Sequence, residues 1–353
     1  MNSLVGGLVD GMRRLLGARK PVAAPLPYGY ADLRAGGSRI EIIPQLGGRI
    51  SALELGGRQW LWTNPAQAPG LPTHGATYGE FAGGFDECFP TSSSCTLPGS
   101  VRGFGGSLLP ERGELWTQRP HFEVRTDGQP TAVTIWTGER MPYEFQRTVQ
   151  VSADGAITFD YIAINRGRDP IPFVWSAQPL LPLSPRTRII LPEGSMARVG
   201  AQHGIDLGGG SREQRWPRFR LGDRLADMSR PDGVAGQFAC KLHFEMPRQA
   251  IAIEEGTSRL EITADATRIP NLGLWINRGG WSLDKRQAPA RNLSLQPAIG
   301  ASDSLADALS DRNSVHWLAP DEVREWRMVF RAFVIDDATR AARATPASLR
   351  QQP

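Results

Sequence analysis

The feature that most constrains this chain is a period-two alternation of apolar and polar residues, recurring in short runs between clusters of Gly, Pro, Asp and Asn. Successive side chains of an extended strand point to opposite faces, so the pattern builds half-buried strands rather than helices. The clearest instance spans 147–165. Val149 and Val151 lead into Asp154-Gly155, a favoured hairpin turn pair, and Ile157, Phe159 and Tyr161 alternate on the way out. Segments 39–43, 131–136, 259–263 and 326–334 read the same way, the last placing Trp326, Met328, Phe330 and Ala332 on one side, which is expected to be core. No alternation of strand with helix is present, which argues against a parallel α/β sheet. The 39 Gly and 28 Pro supply the turns that many antiparallel strands require. Segments 64–96 and 193–232 are poor in alternation and read as long excursions, which in a compact domain tend to be functional.

The expected organisation is therefore one all-β domain over 28–335. Ahead of it, Leu4, Val5, Leu8, Val9, Met12, Leu15 and Leu16 recur at helical spacing beside Arg13, Arg14, Arg19 and Lys20, so 1–27 reads as an amphipathic helix and linker. That helix is expected to dock on its own domain rather than on a membrane surface. Asp10 interrupts its apolar run and the basic residues follow it, which is not the order of a secretory signal. Residues 336–353, rich in Ala, Arg, Thr and Gln, read as a flexible tail.

No run approaches the roughly 18 apolar residues of a membrane span. The 40 basic and 36 acidic residues form no Lys/Arg block, so no nucleic-acid partner is implied. Cys88, Cys95 and Cys240 make neither an even disulfide set nor a zinc-like pair, and are expected to be reduced thiols of a cytoplasmic protein. The five histidines are too scattered to suggest a metal site, and no Walker-type loop is present, so no cofactor is expected.

Five stretches carry more. They are Gly47-Gly48-Arg49-Ile50 with Leu53; Gly83-Gly84-Phe85-Asp86-Glu87-Cys88-Phe89-Pro90; Leu109-Pro110-Glu111-Arg112-Gly113-Glu114-Leu115-Trp116; Pro172-Phe173-Val174-Trp175-Ser176-Ala177-Gln178-Pro179-Leu180; and Leu295-Gln296-Pro297 running to Asp303-Ser304-Leu305. In order and spacing they resemble the galactose mutarotase (aldose 1-epimerase) family over nearly the whole domain. The resemblance implies an antiparallel β-supersandwich with a sugar held on a concave face. It also implies an acid and a base that open and reclose the sugar ring. In the family pattern the base is a Glu of a late Glu-Pro motif, the acid a His after the central hairpin, and a second His sits in an Asp-His-Gly motif. Here the matching positions hold Gln296, Gln178 and Arg112.

A Gln amide donates and accepts hydrogen bonds but does not titrate near neutral pH. General acid–base catalysis contributes about 10²–10⁴-fold, so these replacements should remove most of it. The reading is a carbohydrate-binding protein without standard mutarotase catalysis, with Asp86, Arg112, Trp175, Gln178 and Gln296 against the ligand. Trp175 would stack on the sugar ring, the alternative being a core position. The guanidinium fork of Arg112 suits carboxylate or phosphate and hence a sugar acid. Its alternative is an internal ion pair with Glu111, Glu114 or Asp86. The rival reading is an active aldose or hexose-phosphate 1-epimerase in which Glu87, Glu111 or Glu114 takes over proton transfer, with His74 a candidate replacement acid. Arg147 and Asn165 read as structural. Geometry separates the two readings: titratable groups converging near Gln178 and Gln296 favour the enzyme, amides and Arg112 alone favour the binder.

Overall fold

The hairpin expected at 147–165 forms as Tyr143–Val151 paired antiparallel with Ile157–Asn165, Val149 lying opposite Phe159 and Val151 opposite Ile157. These residues are buried, as alternation requires of the inward face of a strand. The computed structural model describes residues 29–64, 82–208, 213–282, 290–311 and 314–335. The helix expected in 1–27, the tail at 336–353 and His74 lie outside them.

Two antiparallel sheets carry the fold. The smaller has eight strands in the order Thr187–Ile190, Ile251–Glu255, Ser258–Ala264, Val323–Val334, Ile157–Asn165, Tyr143–Val151, Thr131–Thr137 and His121–Arg125. The larger has twelve. Its central run is Ser38–Ile43, Arg49–Leu55, Phe85–Cys88, Trp175–Pro179, Arg291–Ile299, Asn271–Arg278, Phe238–Glu245 and Met196–His203. Among the described residues the one α-helix is Leu305–Ser310, capped by the Ser304 side chain. The chain forms the all-β fold expected from the alternation, in the antiparallel sandwich arrangement that the family resemblance implies.

Aromatic side chains fill the space between the sheets. Phe85 of the larger sheet packs on Phe159 and Phe330 of the smaller at ring distances of 5.3 and 5.9 Å. Trp326 and Phe330 point inward as expected, and each such burial is worth about 1.5–3 kcal/mol.

Segment 193–232, read as a loop excursion, instead holds Met196–His203, Glu213–Arg215, Arg218–Leu221 and Arg224–Asp227. Its first strand is integral to the larger sheet, with Ala197 and Val199 buried and Arg198 exposed between them. The alternation was obscured because the pairing with Phe238–Glu245 shifts register between Val199 and Gln202, around Gly200.

Candidate functional site

Directly paired residues of an antiparallel ladder point to the same face, so register decides which side chains meet. On the larger sheet Gln178 lies opposite Asp86, and Ser176 opposite Cys88 and Ala298. Gln296 lies opposite Gly273, Gly273 opposite His243, and His243 opposite Arg198. These residues share one polar face. The intervening ones, among them Ala177, Leu242, Leu272, Leu274, Leu293 and Leu295, are buried in the core.

The first cluster on this face contains Arg112 and Gln178. Arg112 Nη1 donates to Gln178 Oε1 at 2.7 Å, Gln178 Nε2 donates to Ser176 Oγ at 2.9 Å, and Ser176 Oγ meets Ser92 Oγ at 2.9 Å. Arg112 adopts φ 63°, a left-handed backbone that costs a non-glycine residue on the order of 1–3 kcal/mol and is found most often at functional positions. Its N–H donates to Ser92 O at 2.9 Å. Asp86 stands beside this cluster with its two oxygens taken by Arg49 Nε and Nη2, each at 2.9 Å. That pair depends on a close strand approach at Gly84, where a Cβ would lie 2.4 Å from Ile50 O.

The second cluster surrounds Gln296. Lys241 Nζ donates to Gln296 Oε1 and lies 3.2 Å from Asp303 Oδ1. A residue with no side chain, Gly273, stands between the strands of Lys241 and Gln296; a Cβ there would meet both Gln296 Oε1 and Lys241 Nζ at 3.0 Å. His243 leaves the same face two residues further along, over Gly200, where a Cβ would lie 2.8 Å from His243 Nε2. Asp303 is held in place by its carbonyl, which accepts from Ser92 N and Ser93 N at 2.8 Å each.

The electrostatics of this cluster are polarised. Burial, with Lys241 and Arg198 nearby, pushes the His243 imidazole down to about 4 against the pull of Asp303, so it is neutral at pH 7. Burial alone would raise the Asp303 carboxyl, but Lys241 and His243 outweigh that and hold it below the usual value.

Among the described residues, two cavities open on the face. An inner recess of about 10 Å³, room for a single water, is bounded by Ser176, Lys241, His243, Gln296 and Asp303. An outer cleft of about 550 Å³ shares His243 and Asp303 with it and continues along Ser93, Ser94, Arg198 and Asp307. The outer volume falls within the range of small-molecule sites, roughly 300–1,000 Å³.

Of the residues expected to touch a ligand, Arg112, Gln178 and Gln296 stand on the polar face. Asp86 shares it but is engaged by Arg49. Trp175 does not: its side chain is fully buried, and its ring packs on Tyr161 at 4.9 Å and Trp326 at 5.1 Å, between the sheets. The stacking role expected of it is corrected, because its register position faces the core. The substitute carboxylates are corrected likewise. Glu87 lies opposite Ala177 on the core side, where it accepts from Arg147 Nη1 at 2.6 Å and Tyr161 Oη at 2.9 Å, and burial raises its pKa. Glu114 accepts from Tyr143 Oη at 2.8 Å and from the Arg140 backbone at 3.0 Å. Glu111 is exposed and lines neither cavity. Arg147 and Asn165 are structural, Asn165 Nδ2 donating to the Asp169 and Leu318 carbonyls.

Lys241, His243 and Arg198 were not anticipated. The signal for two of them was present: Phe238, Cys240, Leu242 and Phe244 alternate with Ala239, Lys241, His243 and Glu245. Among the described residues no group of three or more His, Cys, Asp or Glu side chains is placed to hold a metal ion. Nor is any described helix long and apolar enough to cross a membrane.

No protein-family model and no curated protein sequence matches this chain. Solved structures do. A proposed aldose 1-epimerase of Escherichia coli K12 superposes with a TM-score of 0.60 at 15% identity, covering 87% of this chain and 99% of that one. A galactose mutarotase-like protein of Clostridium acetobutylicum gives 0.57 at 13% identity over 86% and 95% of the two chains. A galactose mutarotase related enzyme of Lactobacillus acidophilus gives 0.56 at 12% identity over 87% and 98%. The fold of this chain is thus that of the galactose mutarotase-like proteins.

Proposed function

We propose that this protein binds a carbohydrate on the polar face of its larger sheet, and that the preferred ligand is a pyranose carrying a carboxylate or phosphate. The observation that carries the reading is the cleft of about 550 Å³ lying against that face, with Ser93, Ser94, Asp303 and Asp307 to meet hydroxyls and Arg198 exposed at its side. Arg112 and Lys241 add two further cations to the same face. Hydroxyl-rich ligands need many paired donors and acceptors in one recess, which an apolar cleft does not offer. Gln178 and Gln296 serve as hydrogen-bonding groups here, not as acid and base. A cytoplasmic setting belongs to the same reading and rests on three free thiols with no disulfide between them.

The test is NMR line broadening of glucose, galactose, their 6-phosphates and glucuronate on titration with the protein. Broadening, strongest for the acidic sugars, is the expected result. No broadening of any of them would overturn the proposal.

A second reading, that of an active 1-epimerase with a rearranged acid and base, is favoured by one observation. Titratable side chains do converge beside Gln296: Lys241, His243 and Asp303 border the same recess.

A further inference from the structure

We propose that the outward face of the eight-stranded sheet is the docking surface for the chain's own N-terminal segment, the apolar residues between Leu4 and Leu16 lying across Ile135, Ile162, Ile164 and Val323. The proposal is independent of the carbohydrate reading, because the polar face described above belongs to the other sheet.

The receiving surface follows from register. Gln146 lies opposite both Ile135 and Ile162, and Ile162 lies opposite Glu325. One row along, Glu144 lies opposite Thr137 and Ile164, and Ile164 opposite Val323. Phe145 and Arg147, which alternate with Glu144 and Gln146, are fully buried between the sheets, so both rows point outward. Ile135, Ile162, Ile164 and Val323 therefore form one apolar strip on the outside of the sandwich, each half-buried. Neighbouring strands are about 4.8 Å apart, so a strip across four strands measures roughly 14 Å, enough to seat a helix of about 10–12 Å diameter.

The charges around the strip are already paired, with one exception. Arg166 meets Glu144 at 3.1 Å, and Arg327 meets Asp160. Glu325, opposite Ile162, has its Oε1 buried and accepting no hydrogen bond among the described residues. A buried carboxylate oxygen left so is costly, and an arriving cation offsets that cost.

The N-terminal segment supplies both needs. Leu4, Val5, Leu8, Val9, Met12, Leu15 and Leu16 fall on one stripe of thirteen residues, about 20 Å at helical rise. A helix that short is marginal in water and draws its stability from burying such a stripe. Arg13, Arg14, Arg19 and Lys20 bring cations to the same place. The point of entry also fits. The described body begins at residue 29, and Ala31–Ala35, the edge strand of the larger sheet, lies against Thr131–Thr137 and Tyr143–Val151, which carry the near side of the strip. Twelve residues separate Leu16 from Gly29, a reach of up to about 40 Å, which suffices to round the edge of the sandwich.

The experiment is disulfide trapping in the full chain. Cys88 and Cys240 are buried, so Cys95→Ser serves as the background. Leu8→Cys is combined in turn with Ile135→Cys, Ile162→Cys and Ile164→Cys, and with Arg220→Cys, an exposed position on the Arg218–Leu221 strand, as the control. Non-reducing electrophoresis and peptide mapping read the bonds. The expected result is an intramolecular bond in at least one strip pair, forming about tenfold or more faster than in the control because docking raises the effective concentration of the two thiols. A second readout is trypsin cleavage after Arg13, Arg14, Arg19 and Lys20. It should accelerate about tenfold or more in Ile162→Thr, Ile164→Thr, which keeps β-branched residues in the strand but removes its apolar surface. Equal trapping rates in strip and control pairs, or cleavage no slower in wild type than in the Thr variant, overturns the proposal. Bonds found only between two chains overturn it in favour of a second copy on the strip. Sedimentation of the wild type with phosphatidylglycerol vesicles overturns it in favour of a lipid surface as the partner of the segment.

Discussion

Lys241 reaches across Gly273 to donate to Oε1 of Gln296, and its ammonium also lies 3.2 Å from Asp303. A strand that matches none of the recognisable motifs thereby places a charged group against the one that does.

The first prediction tests that crossing. In Gly273→Ala the atoms nearest the added carbon would be the ends of Lys241 and Gln296, at 3.0 Å, and flexible ends can move. The expected outcome is a folded protein with its melting temperature changed by no more than a few degrees and sugar affinity lowered several-fold. Gly280→Ala is the contrast, because its carbon would lie 2.1 Å from the Phe238 backbone. It should destabilise the fold measurably in thermal melts.

Arg112 should matter for charge rather than for fold. Hydrogen bonds to a charged group are worth about 1.5–3 kcal/mol, so Arg112→Ala should weaken binding of glucuronate and sugar phosphates by roughly ten- to a hundredfold and that of neutral hexoses far less. Unchanged affinity for the acidic sugars in NMR titration would remove the case for an anionic ligand.

Trp175 faces the core, so Trp175→Phe should leave sugar affinity within about twofold while lowering stability in urea denaturation by roughly 0.5–3 kcal/mol. A selective loss of affinity with stability intact would place the ring on the ligand side.

The Glu87–Arg147 pair is a structural charge pair with both side chains at 2% exposure or less. Removing one partner leaves the other buried and uncompensated, so Arg147→Met should cost about 3–5 kcal/mol by urea denaturation. The double variant Arg147→Met, Glu87→Leu should recover part of that loss.

His243 should leave a signature in the pH dependence of stability. Its folded pKa of about 4 lies below its ordinary value of 6.5, so between those values the unfolded chain binds the proton and the folded chain does not. Stability contributed by neutral His243 is therefore full above about pH 6.5 and declines as the pH falls toward 4. The melting temperature of His243→Gln should fall less steeply than that of wild type over this window. Asp303 acts in the same sense lower down, its depressed carboxyl adding stability that is lost as acid protonates it in the fold. Parallel curves for wild type and His243→Gln would show that the imidazole is not held neutral.

Much of the fold was legible in the sequence because a half-buried strand records its burial locally. Val149, Val151, Ile157 and Phe159 could be placed in a hairpin, and Trp326, Met328 and Phe330 on an inward face, from their spacing alone. The motif order likewise pointed to Gln178, Gln296 and Arg112, which do share a face. Segment 193–232 was misread because Gly200 and a register shift interrupt its alternation in the strand that carries Arg198.

What the sequence determined by itself was the class of fold, since that is a property of residue type and local spacing. What only the tertiary structure decided was which side chains meet. Trp175 and Gln178 are three residues apart and face opposite sides of one strand, whereas Lys241, Gln296 and Asp303 come together from three separate segments. Their contact depends on the pairing of Phe238–Glu245 with Asn271–Arg278, and of that strand with Arg291–Ile299. A sequence states the alternation of each strand, but the register between strands is set by burial of all the core faces at once, and that is a property of the assembled sheet.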